Sequence, residues 1–153
     1  MSGPLVTLPP AAACAPLTER VLVRDSADGL DAFDLCADSR TVAEALRLAI
    51  ARPGACRALV IVAAAPPSEA GLVERFAALQ VPTLTIFGTR DREIPPETGR
   101  RWRALLPACH VVFVYDAAHD PAADRPQAFA DLVLDFLAEP LAFLVNRRDG
   151  ALG

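Results

Sequence analysis

Hydrophobic positions along the chain follow two patterns, one typical of buried strands and one typical of amphipathic helices. Short runs rich in branched or aromatic side chains predict strands at Phe33–Ala37, Ala58–Val62, Thr83–Phe87 and His110–Tyr115. Apolar residues recur at helical spacing between and after these runs, in Arg40–Arg52, Pro96–Leu106 and Pro126–Ala138. Strands that alternate with helices predict an α/β fold, with a parallel sheet as the middle of three layers and helices on both of its faces.

The two ends of the chain show weaker patterns. Residues 1–17 are rich in proline and alanine, without periodicity, and predict an irregular N-terminal arm. Residues 18–146 are then a single domain, and residues 147–153 a loose C-terminal tail. Within the domain, Thr18–Leu30 fits either an edge strand through Val21–Val23 or a helix that ends at Gly29, and the sequence leaves both alternatives open.

Composition excludes several classes of protein. The 153 residues fit one domain, and 53% hydrophobic with 22% charged residues argues against disorder. A net charge of −4 gives no reason to expect binding to nucleic acid or to an anionic membrane. No apolar run approaches the roughly 20 residues of a membrane span, and the N-terminal segment lacks the basic start of a signal peptide. The sequence therefore predicts a cytoplasmic protein.

Cysteine and histidine spacing gives no sign of a metal or redox site. The cysteines are far apart, without a metal-type pair: Cys14, Cys36, Cys56 and Cys109. Cys36 and Cys109 lie in or beside apolar runs and are predicted to be buried, reduced thiols. With only two histidines, of which His110 opens a strand and is interpreted as structural, a multi-histidine metal site is not expected. No strand is followed by the Gly-x-Gly-x-x-Gly turn of a nucleotide-binding domain.

An acid and a histidine follow neighbouring predicted strands. Asp91 comes shortly after Thr83–Phe87, and His119 comes shortly after His110–Tyr115. Parallel strands end at the same edge of a sheet, where α/β folds bind ligands, so these two side chains are expected to meet there. Simpler interpretations remain open: Asp91 can be a turn residue or a partner of a neighbouring arginine, and His119 can be a cap before Pro121.

The segment from Val81 to Leu137 resembles the C-terminal part of an α/β-hydrolase. It contains a Pro-x-Leu strand, then Gly-x-x-Asp at Gly88–Asp91 with a proline four residues later, then a strand that ends in Ala-x-His, and a helix led by Arg-Pro-Gln. Members of that family use a Ser, Asp, His triad in this chain order. The resemblance implies that Asp91 is the acid and His119 the base.

The turn at Ala37–Thr41 falls where the family has its nucleophile elbow, Gly-x-Ser-x-Gly. This register puts the nucleophile on Ser39 and an oxyanion donor on the backbone N–H of Arg40. Both elbow glycines are replaced, by Ala37 and Thr41, which predicts a relaxed turn that aims the serine less well. The alternative is that Ser39, or Asp38, only caps the following helix.

Fewer than 40 residues precede Ser39, whereas the family carries several strands and a loop with a second oxyanion donor there. The resemblance therefore implies a shortened member whose strand Phe33–Ala37 lies at an exposed edge. A strand from Val21–Val23 or Leu5–Leu8 would cover that edge, or a homodimer or partner subunit would. Only about 18 residues separate Val62 from Val81, too few for a lid.

These features imply a lidless serine hydrolase of the α/β-hydrolase type that acts on a small ester or thioester. Ser39, His119 and Asp91 would form its triad, and no cofactor or metal is implied. The alternative is a catalytically inactive α/β-hydrolase-like protein that acts in binding or assembly, as the altered elbow suggests.

Overall fold

The computed structural model describes residues 4–8, 17 and 23–149, with side chains described as far as residue 144. Its strands are β1 (Leu5–Thr7), β2 (Val23–Arg24), β3 (Phe33–Ala37), β4 (Cys56–Val62), β5 (Thr83–Gly88) and β6 (Cys109–Val114). Its helices are α1 (Val42–Ala51), α2 (Leu72–Ala77), α3 (Glu97–Leu105), α4 (Pro121–Asp124), α5 (Pro126–Ala138) and α6 (Pro140–Asp149). The predicted strands and long helices are therefore present, with ends that shift by at most two residues.

The six strands form one parallel sheet in the order β2-β1-β3-β4-β5-β6. Side chains of β4 show how both faces are covered. Leu59 and Ile61 belong to a core with α1, α2 and α3, whereas Val60 and Val62 belong to a core with α5 and α6. Buried strands with apolar residues on both faces are the signature of a parallel sheet between helical layers, so the predicted three-layer α/β fold is confirmed.

Residues 5–7 correct the prediction of an irregular N-terminal arm. Leu5–Thr7 is a strand that pairs with β3 on one side and β2 on the other, and Leu5 and Val6 are fully buried. Three residues are too few to show a periodic pattern, although an apolar β3 edge strongly favours a neighbouring strand. Of the two ways proposed to cover that edge, the N-terminal segment does so. Residues 18–22 lie outside the described residues, and Val23, the described residue of the predicted Val21–Val23 strand, lies in β2.

The C-terminal segment also differs from the prediction, because α6 continues to Asp149 where a loose tail was expected from residue 147. Phe143 and Leu144 are buried on the α5 side of the sheet. The Phe143 ring meets Phe136 edge-on at 5.5 Å and His110 at 5.6 Å between ring centroids. His110 thus has the structural place expected of it. Leu141 stays 67% exposed, and a homodimer remains a prediction.

The cysteines of the described segments lie in the protein interior. Cys36, Cys56 and Cys109 are buried, as expected for Cys36 and Cys109, and Cys14 lies outside the described residues. Burial, followed by the nearby Asp34, raises the pKa of the Cys56 thiol to about 12, which keeps it protonated at neutral pH. Within the described helices, none is long and apolar enough to cross a bilayer.

The chain crosses itself closely where β5 ends. A Cβ atom on Gly88 would lie 2.1 Å from the carbonyl oxygen of Ala118 and 2.2 Å from that of Ala117. Both obstacles are backbone atoms, which cannot turn aside as a flexible side chain does. Glycine is therefore required at this position by space, and the crossing brings the loops after β5 and β6 together.

Replacing Gly88 by alanine should destabilise the fold, because the added methyl group must push the 117–118 backbone away. We expect Gly88→Ala to lower the free energy of unfolding by about 3 kcal/mol, the upper end of typical overpacking costs. Gly54→Ala is the matched control: its φ of +85° is strained for alanine, but nothing lies within 4 Å, so about 1 kcal/mol is expected. Urea denaturation of both variants measures the difference, and equal losses would contradict this account.

Candidate active site

Asp91 occupies a turn just after β5 and is held by its own backbone. Its Oδ1 accepts hydrogen bonds from the N–H groups of Glu93 (2.7 Å) and Ile94 (3.0 Å). The Asp91 side chain is only 1% exposed. Asp91 is thus a turn residue, as one interpretation of the sequence expected, through its Oδ1 atom. Its Oδ2 atom remains available for another partner.

That partner is His119. Its Nδ1 lies 2.9 Å from Asp91 Oδ2, so the predicted meeting of acid and histidine at one sheet edge is present in the structure. Asp91 does not pair with Arg90, whose guanidinium bonds Asp116 at 3.0 Å instead. The cap before Pro121 is Asp120, which accepts from the N–H of Ala123 at 3.1 Å. The simpler interpretation of His119 as that cap is therefore wrong.

Three further contacts hold the two loops in register. The Arg90 N–H donates to the Ala117 carbonyl at 2.8 Å, and the Asp116 N–H donates to the Thr89 hydroxyl at 2.9 Å. The ion pair between Arg90 and Asp116 crosses the same gap. Together with the close approach at Gly88, these bonds hold the two loops side by side and so fix the distance between Asp91 and His119.

The electrostatics of Asp91 combine opposing effects. Burial is the largest single influence and raises its pKa, but the Ile94 N–H, the bond to His119 and the Glu93 N–H act together in the other direction. The net result is a pKa below the usual range of an aspartate, which keeps Asp91 ionised at neutral pH. An ionised acid fixes the Nδ1–H tautomer of the histidine and leaves Nε2 for chemistry.

The turn at Ala37–Thr41 is organised by Asp38. Its Oδ1 accepts from the Arg40 N–H at 2.9 Å, and its own N–H donates to the Thr41 hydroxyl at 3.1 Å. The Arg40 guanidinium also bonds Asp38 Oδ2 at 2.7 Å. These bonds stabilise the turn that precedes α1, whose N-cap is Thr41, without a side-chain cap bond. The predicted cap bond from the Val42 N–H to the side chain of Ser39 or Asp38 is not made, because that N–H donates to the Asp38 backbone carbonyl at 2.9 Å.

Ser39 lies in an ordinary turn. Among the described residues, those other than glycine with positive φ are Ala63, Gln80 and Asp116, so Ser39 lacks the left-handed backbone of a strained elbow. The prediction of a relaxed turn is confirmed. The N–H of Arg40, predicted as an oxyanion donor, is occupied by Asp38. Ser39 itself is exposed to solvent.

A shared pocket of about 380 Å³ brings the serine and the histidine together. Its lining consists of the Ser39 turn, the end of β4 and the start of the α4 loop: Asp38, Ser39, Arg40, Val62, Ala63, His119 and Asp120. No hydrogen bond joins Ser39 to His119 in the described part of the chain. The structure thus forms the acid–histidine pair and sets the serine beside it without the final contact.

Sequence reasoning missed one residue of this site. Glu93 Oε2 lies 3.3 Å from His119 Nε2, on the nitrogen not used by Asp91. The available signal was its position two residues after the acid, within the same loop. Over the residues described here, no group of three or more His, Cys, Asp and Glu side chains is arranged to hold a metal ion.

Sequence comparison finds distant, partial relatives. The chain is 33% identical over 76 residues to 2-hydroxy-6-oxononadienedioate/2-hydroxy-6-oxononatrienedioate hydrolase 2 of Pseudomonas putida, covering 50% of this chain and 27% of that protein. It is 36% identical over 59 residues to the pimeloyl-(acyl-carrier protein) methyl ester esterase of Neisseria meningitidis, covering 39% of this chain and 23% of that protein. The matches span about a quarter of these relatives. No protein-family model matches the chain.

Solved structures match over most of the chain. MGS-MChE2, an alpha/beta hydrolase enzyme from the metagenome of lagoon sediments at Mar Chica, superimposes with a TM-score of 0.71 and 18% identity, covering 92% of each chain. Carboxylesterase CesB from Bacillus subtilis gives a TM-score of 0.68 and 13% identity, covering 89% of this chain and 84% of that one. With the parallel sheet and the strand-end acid and histidine, these likenesses show that the chain has the α/β-hydrolase fold.

Replacing Asp91 by asparagine should change how stability depends on pH. Because the folded state lowers the pKa of Asp91, its ionised form stabilises the fold above the unfolded pKa of about 4. That contribution disappears as pH falls through the lower folded pKa. Asp91→Asn should therefore cost about 1–3 kcal/mol at neutral pH, and the loss should shrink on acidification.

Urea denaturation across the acid range measures this difference. Asp135→Asn, which removes an exposed carboxylate on α5, is the control and should leave the pH dependence of stability as in the wild type. A loss in Asp91→Asn that stays constant from neutral to strongly acidic pH would contradict the role given to the ionised carboxylate.

Proposed function

We propose that this chain acts as a serine hydrolase on esters or thioesters of small acyl groups. The observation that carries the proposal is the 2.9 Å bond between Asp91 and His119, set at the rim of a pocket that Ser39 also lines. Hydrolase and esterase relatives in both comparisons support the same class of reaction. The methyl ester named for one relative supports an ester substrate.

Each residue has a defined role in the reaction. Asp91 holds the Nδ1–H of His119, so that Nε2 is the nitrogen that can take a proton. His119 takes the proton of Ser39 as the serine oxygen attacks the substrate carbonyl, and a tetrahedral oxyanion forms. The histidine then gives that proton to the leaving alcohol or thiol, which leaves an acyl-serine. Water repeats the sequence, regenerates the serine and releases the acid.

Oxyanion stabilisation is the weakest part of the site. The Arg40 N–H can face the oxyanion only if its hydrogen bond to Asp38 Oδ1 breaks. The loss of that bond raises the barrier of the reaction. Because one missing donor costs about 10² to 10³ in turnover, we expect a slow enzyme.

The pocket favours short substrates. Residues 63–71 connect β4 to α2, and residues 78–82 connect α2 to β5, so the described chain between β4 and β5 contains no inserted lid. A volume of about 380 Å³ is at the small end of ligand sites. Asp38, Arg40 and Asp120 line the pocket. Because Arg40 pairs with Asp38 at 2.7 Å, the charge of Asp120 leaves a net negative lining that disfavours an anionic acyl group near the serine.

A second candidate function is binding or assembly without catalysis. It is favoured by the unstrained backbone of Ser39, by the occupied Arg40 N–H and by the missing bond between Ser39 and His119. Such a protein would keep the Asp91–His119 pair as a structural link between two loops. Hydrolysis of short p-nitrophenyl esters distinguishes the functions, since a rate unchanged in His119→Ala would favour this candidate.

A fluorophosphonate probe tests the proposed nucleophile directly. The wild-type protein should be labelled, and Ser39→Ala should abolish both labelling and ester turnover. Ser68→Ala is the matched control, because Ser68 is an exposed serine away from the pocket and should leave labelling unchanged. His119→Ala should reduce turnover by about 10³-fold or more, as expected for a triad member. Folded wild-type protein that takes up no probe would refute the proposal.

A further inference from the structure

His119 is held from two sides by carboxylates. Asp91 Oδ2 lies 2.9 Å from Nδ1, and Glu93 Oε2 lies 3.3 Å from Nε2. In the proposed reaction, on which this inference rests, Nε2 is the nitrogen that must take the proton of Ser39. The structure therefore gives the catalytic nitrogen a partner other than the serine.

The two partners make opposite demands on Nε2. The Glu93 carboxylate lies at ion-pair distance from Nε2, and the two groups attract each other only while Nε2 carries a hydrogen, because a carboxylate can only accept. A general base needs the lone pair of the same nitrogen free and directed at the serine hydroxyl. One imidazole nitrogen cannot satisfy both demands at once, so contact with Glu93 excludes proton transfer from Ser39.

His119 lines two pockets, and each contains one of the competing partners. The pocket of about 380 Å³ contains Ser39. The second pocket, of about 500 Å³, contains Glu93 and is lined by Thr89, Arg90, Asp91, Arg92, Glu93, Ala118 and His119. The contact with Glu93 ties Nε2 to the second pocket, which agrees with the absence of a Ser39–His119 bond in the described part of the chain.

Glu93 is built to release this contact without disturbing the acid. Its backbone N–H is held by Asp91 Oδ1 at 2.7 Å, whereas its side chain is 70% exposed. The His119 side chain is also 35% exposed, so solvent screens the pair. A substrate bound beside Ser39, or a rotation of the Glu93 side chain, can therefore free Nε2 while Asp91 still orients the ring.

We propose that Glu93 is a positioning residue that occupies Nε2 of His119 in the resting protein and limits turnover. The contact keeps the histidine away from Ser39 until Glu93 is displaced. Removing the Glu93 carboxylate should accordingly increase activity, which is the opposite of what loss of a catalytic or structural group would do.

The test compares Glu93→Ala and Glu93→Gln with Glu97→Ala. Glu97 is an exposed glutamate four residues further on, at the start of α3, and it does not contact His119. We expect kcat for p-nitrophenyl acetate, and the rate of fluorophosphonate labelling, to rise about two- to fivefold in the Glu93 variants, as for loss of an exposed ion pair. Glu97→Ala should match the wild type.

NMR of the imidazole nitrogens supplies a readout that needs no turnover. The chain has two histidines, His110 and His119. The nitrogen signals that disappear in His119→Ala therefore belong to His119. Glu93→Ala should shift the Nε2 signal of His119 and leave the Nδ1 signal, held by Asp91, nearly unchanged. A mere loss of stability would move both signals or neither.

The outcomes separate this inference from the proposed function. Nitrogen signals and rates in Glu93→Ala equal to those in Glu97→Ala would overturn the inference, and so would a fall in kcat. Absence of Ser39-dependent turnover in every variant, with the Nε2 signal shifted in Glu93→Ala, would refute the hydrolase function and support the Glu93–His119 contact.

Discussion

The close crossing of the chain at Gly88 is the constraint on which the sheet edge depends. The parallel sheet carries the ends of β5 and β6 to the same edge, but strands about 5 Å apart do not by themselves join their following loops. The missing side chain at Gly88 lets the 117–118 backbone pass directly over the end of β5. The bond from Arg90 to Ala117 then fixes the spacing, and Asp91 and His119 meet at 2.9 Å as a result.

The two halves of the candidate site obey different local rules. Around Asp91, a buried carboxylate with several donors and a crowded glycine leave the backbone little freedom. Around Ser39, Asp38 accepts from the Arg40 N–H and donates its own N–H to the buried Thr41 hydroxyl, and these bonds stabilise an unstrained turn. A nucleophile elbow, by contrast, holds its serine in a strained backbone conformation. The backbone around Asp91 and His119 is therefore tightly constrained, whereas the turn that contains Ser39 is stable without strain.

Sequence reasoning succeeded where topology or a long pattern decides the outcome. The bounds of β3 and α5 were predicted correctly because apolar residues repeat over a whole element, and the Asp91–His119 meeting follows from parallel strand order. It was incomplete where a few residues act through distant partners. A strand at Leu5–Leu8 was only one alternative for covering β3, and the structure forms it at Leu5–Thr7. The helix α6 extends to Asp149, and its Phe143 packs on Phe136. The relaxed turn at Ser39 was predicted from the replaced glycines, but the bonds made by Asp38 and the reach of Glu93 depend on side-chain contacts that no spacing reveals.

In the proposed mechanism, Glu93 and Ser39 compete for one nitrogen of His119, and such a competition would explain why the fold alone does not decide activity. A change of about 1.4 kcal/mol alters a population tenfold, and exposed ion pairs such as Glu93–His119 are worth about 1 kcal/mol or less. The sheet, by contrast, rests on a core of fully buried side chains that single surface changes do not disturb. If the proposed mechanism holds, substitutions on the loops would move His119 between Glu93 and Ser39 at almost constant stability, and the same architecture would then support either a slow hydrolase or an inactive relative.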